Sequence, residues 1–266
     1  MLNQFETFRK LEELESESWG TELTPVERHG NYWVKRDDTY ERAGVLGGKV
    51  RSAWYLCTKE PVKGLVTAGA KASPQIKIIA SIARELGVPF HAHTPSGELG
   101  PEVTYAQSIG AEVYQHRPGY NNVIIKRAFD DALEMGYLNV PFGMECEEAV
   151  LMTALQVRNI PESVERIVAP VGSSMSFAGI LWGLEYFGRT GIKALGVSVG
   201  AKYDKRMGRY APPGWENWAK IVKSPYRYSD RLNGVKVGEL EVDPVYEAKC
   251  VDYLKDDDLF WVVGIR

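Results

Sequence analysis

A lysine directly after two glycines, Lys49 in Gly47-Gly48-Lys49-Val50-Arg51, is placed for chemistry. A nucleotide P-loop also ends in Gly-Lys, but it needs four residues between its glycines and a hydroxyl after the lysine. Here Gly44 and Gly48 enclose three residues, and Val50 has no hydroxyl, so the pattern fails. Lys49 opens a helix predicted over Lys49–Cys57. Because a helix N-terminus carries partial positive charge, it disfavours an ammonium and favours the neutral amine that attacks an aldehyde. Taken alone, a surface lysine in a glycine turn also accounts for the segment.

A second segment, Val171-Gly172-Ser173-Ser174-Met175-Ser176, follows the apolar run IVAPV and precedes the helical run FAGILWGLEYF. The backbone N–H groups at such a helix start lack acceptors and bind phosphate readily. Ser173, Ser174 and Ser176 add hydroxyl donors, although serine-rich turns also serve as simple caps. No Gly-x-Gly-x-x-Gly is present, so one phosphate suits the loop better than a dinucleotide. His91 and His93 share one strand face but have no third metal ligand nearby in sequence, and they read as core or rim histidines. Lys71, beside Ser73, is either a second cation for an anionic substrate or a solvated lysine. Lys202, Lys205, Arg206 and Arg209 read as a solvated loop.

The elements that must position these residues alternate between strand and helix. Strands are predicted at Tyr32–Lys35, Gly64–Thr67, Val88–His93, Ala111–Tyr114, Tyr137–Val140, Ile167–Val171 and Ile192–Val199. Helices are predicted at Pro74–Leu86, Glu102–Ser108, Asn121–Glu134, Glu145–Arg158 and Met175–Phe187, with Pro74 suited to a first helical position. This alternation predicts a parallel sheet with helices on both faces. Little regular structure is expected from Tyr203 to Val237. In open parallel sheets ligands bind beyond the carboxyl ends of the strands. That rule singles out Gly44–Arg51, Ala68–Gln75, Pro141–Glu147 and Val171–Ser176.

The 266 residues suffice for one large domain or two lobes. A net charge of −3 gives no global field for nucleic acid or an anionic membrane. Cys57, Cys146 and Cys250 form no CxxC pair or zinc spacing, which suits a reducing compartment. The N-terminal stretch lacks the apolar core of a signal peptide, and no apolar run approaches the ~20 residues that span a bilayer. A cytoplasmic protein with no membrane partner is expected.

From Thr24 onward, the order of these motifs resembles the pyridoxal-phosphate enzymes of fold type II. Within them it is similar to the branch of 1-aminocyclopropane-1-carboxylate deaminase and D-cysteine desulfhydrase. TPVERHGNYWVKRDD resembles the family opening, and GGKVRSAWYL its cofactor-lysine segment, with Lys49 at the Schiff-base position and Arg51 two residues on. TAGAKASPQIKIIASIARELGVP aligns without a gap and puts Ser73 at the family serine, near the substrate carboxylate and the migrating proton. VGSSMSFAGILWGL resembles the phosphate loop, with Gly172, Ser173, Ser174 and Met175 leading to Ser176 at its hydroxyl position. The segment Val242-Asp243-Pro244-Val245-Tyr246-Glu247-Ala248-Lys249 is close to the branch signature. There Tyr246 would line the substrate pocket and Glu247 would pair with the pyridine nitrogen, making the ring a strong electron sink.

Several positions depart from the family pattern. Gly48 replaces the asparagine before the lysine, or that asparagine is deleted. Pro74 and Gln75 stand where the family has an asparagine followed by histidine, threonine or glycine; that asparagine normally bonds the cofactor's ring oxygen, and proline cannot. Ser174 and Met175 replace two glycines. Glu145, Glu147 and Glu148 sit where the family loop meets substrate, though acids also favour a helix start. Between Asp230-Arg231 and Val242 a helix and a tyrosine-containing loop are missing, and the sequence stops at Arg266 before the family's final segment.

The resemblance therefore implies an α/β, two-lobed, three-layer parallel-sheet fold of the tryptophan synthase β type. Its larger cofactor-binding lobe would comprise residues 1–51 and 151–266, and its smaller α/β lobe residues 52–150. It implies an enzyme carrying pyridoxal 5'-phosphate, with Lys49, Ser73 and Tyr246 catalytic, and a homodimer. The expected reaction is elimination or deamination of an amino acid or amino-acid-like group through a quinonoid intermediate. Two other readings stand beside it: decarboxylation or replacement on a larger, carrier-linked amino substrate, and an inactive descendant that serves as a binding module.

Overall fold

The computed structural model describes residues 2–17, 22–117, 119–199 and 202–264, so the end at Arg266 lies outside the described part. The chain begins with α1 (Gln4–Ser16), β1 (Val26–His29) and β2 (Tyr32–Arg36), then the short β3 (Glu41–Arg42) and β4 (Val45–Leu46). Next come α2 (Gly48–Thr58), β5 (Leu65–Ala68), α3 (Pro74–Leu86), β6 (Phe90–Pro95) and α4 (Pro101–Ser108). They are followed by β7 (Glu112–His116), α5 (Asn121–Met135), β8 (Leu138–Val140), α6 (Glu147–Ala154) and β9 (Arg166–Val171). The last part holds α7 (Met175–Tyr186), β10 (Lys193–Ser198), α8 (Asp204–Tyr210), β11 (Ala219–Lys223), β12 (Lys236–Val237), β13 (Leu240–Glu241) and β14 (Leu259–Val262).

Two compact units result, one of Met1–Tyr40 with Cys146–Arg266 and one of Glu41–Glu145. In the first, the strand order is β1-β2-β14-β9-β10-β11, parallel except for the β1–β2 hairpin. One sheet face buries Val34, Val168, Val197 and Phe260 against the segment containing Val242, Ala248 and Cys250. The other face meets α7, whose Phe177 lies beside Gly196 of β10. This helix is apolar nearly all round and correspondingly buried.

One consequence of sequence appears at the sheet's centre. Proline cannot donate to a ladder, yet Pro170 stands in β9. The β14–β9 pairing runs only from Leu259↔Ile167 to Phe260↔Val168, so the two strands have parted before Pro170. The N–H groups just past β14 must therefore find acceptors elsewhere.

The second unit is a parallel sheet in the order β7-β6-β5-β8. Helix α5 covers one face, with Ile124, Ala128 and Ala132 against Val66 and Ala68. On the other face α3 sends Gln75 to Thr67 of β5. Helix α3 starts on Pro74 and ends at Gly87 in the left-handed conformation, as its sequence signals.

The α/β fold class and most predicted elements are present. The exceptions have local causes. The predicted helix Glu145–Arg158 starts at Glu147 and tightens into a 3-10 segment over Leu155–Asn159. In a 3-10 turn residues three apart eclipse, and here Gln156 and Asn159 both reach Thr24. The stretch from Tyr203 to Val237 contains α8 and β11, and the basic run lies mostly on α8 rather than in a loop. Strand β14 is only four residues long and buried throughout, so it carries no alternation to read.

The histidines form a closed network in the second unit. Asp131 Oδ2 accepts from His91 Nδ1 and from His93 Nε2, each at 2.8 Å. This leaves Nδ1 of a neutral His93 to accept from His116 Nε2, also at 2.8 Å. No group of three or more such residues among those described has metal-site geometry. Burial, then His93 and Arg127, hold the His116 imidazole below its ordinary value. An unfolded chain takes up that proton near pH 6.5, but the folded chain resists until lower pH, so stability is lost as pH falls from ~6.5. The expected result for His116→Gln is a smaller loss of urea stability between pH 7.5 and pH 5.5 than in the wild type.

Candidate functional site

In the first unit, β9 delivers the loop Gly172–Ser174 to the start of α7. The first N–H groups of α7 have no acceptor within the helix, and the helix dipole adds positive potential there. Ser174 holds the N-cap position at φ 75°, ψ −12°, and its side chain makes no capping bond. Its hydroxyl oxygen is buried without a hydrogen-bond partner among the described residues. The left-handed conformation explains why glycine would be at home at that position; serine adopts it at a cost of roughly 1 kcal/mol. Met175 is buried and points into the core of the unit. Ser173 and Ser176 are half-buried. This loop can bind one phosphate.

Gly172 is required for a different reason. A β-carbon there would lie 2.6 Å from Cε1 of Tyr246 and 3.2 Å from its hydroxyl. The close approach sets the Tyr246 ring directly against the loop. Tyr246 in turn is fixed by Asp243, whose Oδ1 accepts from the N–H groups of Val245 and Tyr246 at 2.8 and 2.9 Å. An Asp-Pro turn of this kind was legible in the sequence, but Asp243 was not singled out. The Tyr246 hydroxyl lies 3.2 Å from that of Tyr228, a residue the sequence reading missed because its surroundings lack regular structure.

Glu247, next in the chain, is fully buried. Its Oε1 accepts from Val263 N at 2.8 Å and Gly264 N at 3.4 Å, the donors freed where β14 parts from β9. Its Oε2 is buried and has no partner among the described residues. Burial first, then the neighbouring Asp243 charge, push this carboxyl up to about 8, against the opposing pull of the backbone N–H groups of Val263, Glu247 itself and Gly264. A buried acid with one open oxygen, one residue from a tyrosine that lines a phosphate loop, suits a ligand with a phosphate and a basic ring nitrogen.

Lys49 and Ser73 belong to the second unit. Lys49 is the second residue of α2, after Gly47 at φ 117°, a conformation open to glycine. Ser73 is the N-cap of α3 and makes no side-chain capping bond, so its hydroxyl is not committed to the helix. Helices α2 and α3 pack together. Gln75 is locked inside the unit, its Nε2 donating to Thr67 Oγ1 at 2.9 Å and to the Pro141 carbonyl at 2.7 Å. It therefore does not act as a replacement donor for the missing asparagine. Lys71 is exposed beside Gly97, and Glu147 pairs with Lys10 at 2.6 Å.

Comparison with known proteins supports the fold. No family model matches the chain, and no curated protein matches it. Among solved structures, it is similar to an ACC deaminase homologue with a TM-score of 0.80, at 19% identity over 97% of this chain and 94% of that one. It is also similar to threonine deaminase isoform 2 from Solanum lycopersicum, with a TM-score of 0.73 and 12% identity over 99% and 85% of the two chains. Diaminopropionate ammonia lyase from Escherichia coli gives a TM-score of 0.66 at 13% identity, over 97% and 87%. The fold expected from the sequence resemblance is the one these structures share.

Two outcomes follow from this geometry. Gly172→Ala should leave thermal unfolding within a few degrees of wild type but abolish binding of a phosphate-bearing ligand, measured by calorimetry. For Glu247 the sign comes from its raised value. An unfolded chain ionises this carboxyl near pH 4.5 and the folded chain only near 8, so the group's penalty grows across that window and is complete above it. Ligand-free Glu247→Gln should match wild-type stability at pH 5 and exceed it by a few kcal/mol at pH 9, by urea unfolding.

Proposed function

We propose that this chain is a pyridoxal 5'-phosphate enzyme that eliminates or deaminates an amino acid or amino-acid-like substrate. The observation that carries the reading is Glu247, a buried carboxylate with one oxygen fixed by backbone and the other open, adjoining a phosphate-type loop. The similar structures include deaminases and an ammonia lyase by name, which agrees with this chemistry.

When bound, the cofactor supplies an electron sink for the pair left on the substrate α-carbon. Its residues would be Lys49, holding it covalently through Nζ, Gly172–Ser176 on its phosphate, and Glu247 on its ring nitrogen. Glu247 would keep that nitrogen protonated, since a buried carboxylate is relieved by an N–H donor. Lys49 Nζ would be the group placed to take the substrate's α-proton and to return one. Ser73 Oγ holds the substrate carboxylate at the start of α3, where the helix dipole also favours an anion. Tyr246, with Tyr228 on its hydroxyl, orients the side-chain end of the substrate.

A second reading concerns substrate size. Between Asp230 and Val242 the chain forms only the two-residue ribbon β12–β13. Tyr228, bonded to Tyr246, stays 47% exposed. This favours a substrate whose amino-acid group is attached to something larger, with decarboxylation or replacement as possible outcomes. Product analysis on free amino acids against the same groups in ester or amide linkage separates the two.

The test is an absorbance titration with pyridoxal phosphate, followed by borohydride and peptide mapping. A visible band in the wild type, fixed by borohydride on the peptide containing Lys49 and absent in Lys49→Ala, is expected. Glu247→Gln should keep that covalent bond and lower kcat about 100-fold or more. A wild type that forms no band, or a label on another lysine, would overturn the reading.

A further inference from the structure

Charge is spread unevenly along this chain. Residues 202–231 hold eight Lys and Arg against three Asp and Glu, so the stretch carries +5 in a chain whose net charge is −3. The remainder is net acidic, and the overall balance conceals a local positive field. Six aromatic residues are interleaved with these cations, Tyr228 among them. The whole stretch belongs to the first unit.

The fold brings its last third to the sheet end that carries Gly172 and Tyr246. Strands β9, β10 and β11 are parallel, with Val171 level with Ser198 and Ser198 level with Lys223. Lys223 therefore ends β11 about 10 Å from the point where β9 turns into Gly172–Ser174, at ~4.8 Å per strand. Beyond it, Asp230 Oδ2 accepts from the Arg227 N–H at 2.8 Å, which commits that carboxylate to a turn. The buried Lys249 Nζ donates to the carbonyls of Arg227 and Tyr228 at 2.7 and 3.1 Å, and both side chains stay exposed. The Leu232 N–H donates to the Pro244 carbonyl at 2.9 Å, which sets Arg231 beside the turn that fixes Tyr246. Exposed Lys223, Arg227 and Arg231 thus flank Tyr228, whose hydroxyl meets that of Tyr246. Among the described residues, none of these three cations forms an ion pair.

A free amino acid presents one α-carboxylate, and three cations outside the phosphate loop exceed that need. Cations around an exposed ring match a strand of nucleic acid, whose phosphates meet the charges while a base stacks on the ring. An acidic polypeptide would satisfy the charges and leave the ring without a flat partner. In a duplex the bases are already stacked on one another, so the ring favours an unpaired strand. We propose that Lys223, Arg227 and Arg231, with the Tyr228 ring, bind a single-stranded nucleic acid, one nucleotide of which carries the amino-acid group presented to Tyr246. This rests on the carrier-linked reading of the substrate and gives the carrier its chemical class.

Fluorescence anisotropy of a labelled, mixed-sequence single-stranded DNA of ~12 nucleotides, titrated with the full chain, tests the proposal. The wild type is expected to bind at ~50 mM salt with a dissociation constant of ~10 μM or tighter, and a log–log salt slope near ~−2, as three phosphate contacts give. Arg227→Glu should weaken binding about 10-fold or more. The same charge reversal at Lys193, exposed at the opposite end of the sheet, should change it less than about 2-fold. Tyr228→Ala should weaken binding about 10-fold, and Tyr228→Phe, which keeps the ring and loses the hydroxyl, less than about 2-fold. A wild type that does not bind overturns the proposal, as does a Tyr228→Ala variant that binds equally well. Equal affinity for a duplex of the same sequence, or for polyglutamate, overturns it too. The absorbance band formed with pyridoxal phosphate reports on the cofactor separately, so loss of oligonucleotide binding alone leaves that reading in place.

Discussion

The Glu247 carboxylate is held by the N–H groups of Val263 and Gly264, and the architecture of the first unit turns on that arrangement. A parallel sheet ordinarily satisfies such donors with the next strand. Here β9 carries Pro170 and separates from β14 after Val168, so the neighbouring strand does not serve them. A side chain from the 3-10 segment Glu247–Tyr253 takes its place. Only a carboxylate does this while leaving a second oxygen for a ligand, and burial makes that second oxygen costly to leave unmet.

The parting of β14 and β9 also frees the carboxyl end of β9 to turn into Gly172–Ser174. Tyr246 fills the space above Gly172 because that residue has no side chain, and Asp243 fixes the turn that presents both Tyr246 and Glu247. The Gly172–Ser174 loop, tyrosine and acid are thus linked through backbone geometry. Their chemistry is distinct: helix N–H groups without acceptors in the helix, a pair of hydroxyls, and a carboxyl whose proton affinity is raised by burial and by Asp243. In the second unit, Lys49 and Ser73 stand at helix starts, positions where cationic side chains are disfavoured and anions are welcome.

Much of this was legible in sequence because the relevant signals are local. Pro74 and Gly87 bracket α3, the serine-rich turn announces the start of α7, and DPVYEAK carries its own Asp-Pro turn. What could not be read depends on partners distant in sequence. Strand β14 shows no periodicity, yet it lies between β2 and β9. The 3-10 tightening at Leu155–Asn159 answers to Thr24, over a hundred residues earlier. Tyr228 is unremarkable in sequence and meets Tyr246 only through folding. Gln75 follows the proline that replaces the family asparagine, and Thr67 and Pro141 claim its amide. His91 and His93 needed Asp131, forty and thirty-eight residues away, to show what they bind.

The central claim is that the open oxygen of Glu247 meets the ring nitrogen of the cofactor. Difference infrared spectroscopy at pH 7, recorded as pyridoxal phosphate is added and with Glu247→Gln as reference, measures it directly. The ligand-free protein should show the carbonyl stretch of a protonated, buried carboxyl, and cofactor binding should replace it with carboxylate bands, both absent from the variant. A cofactor that binds while this carboxyl signal stays unchanged would contradict the account.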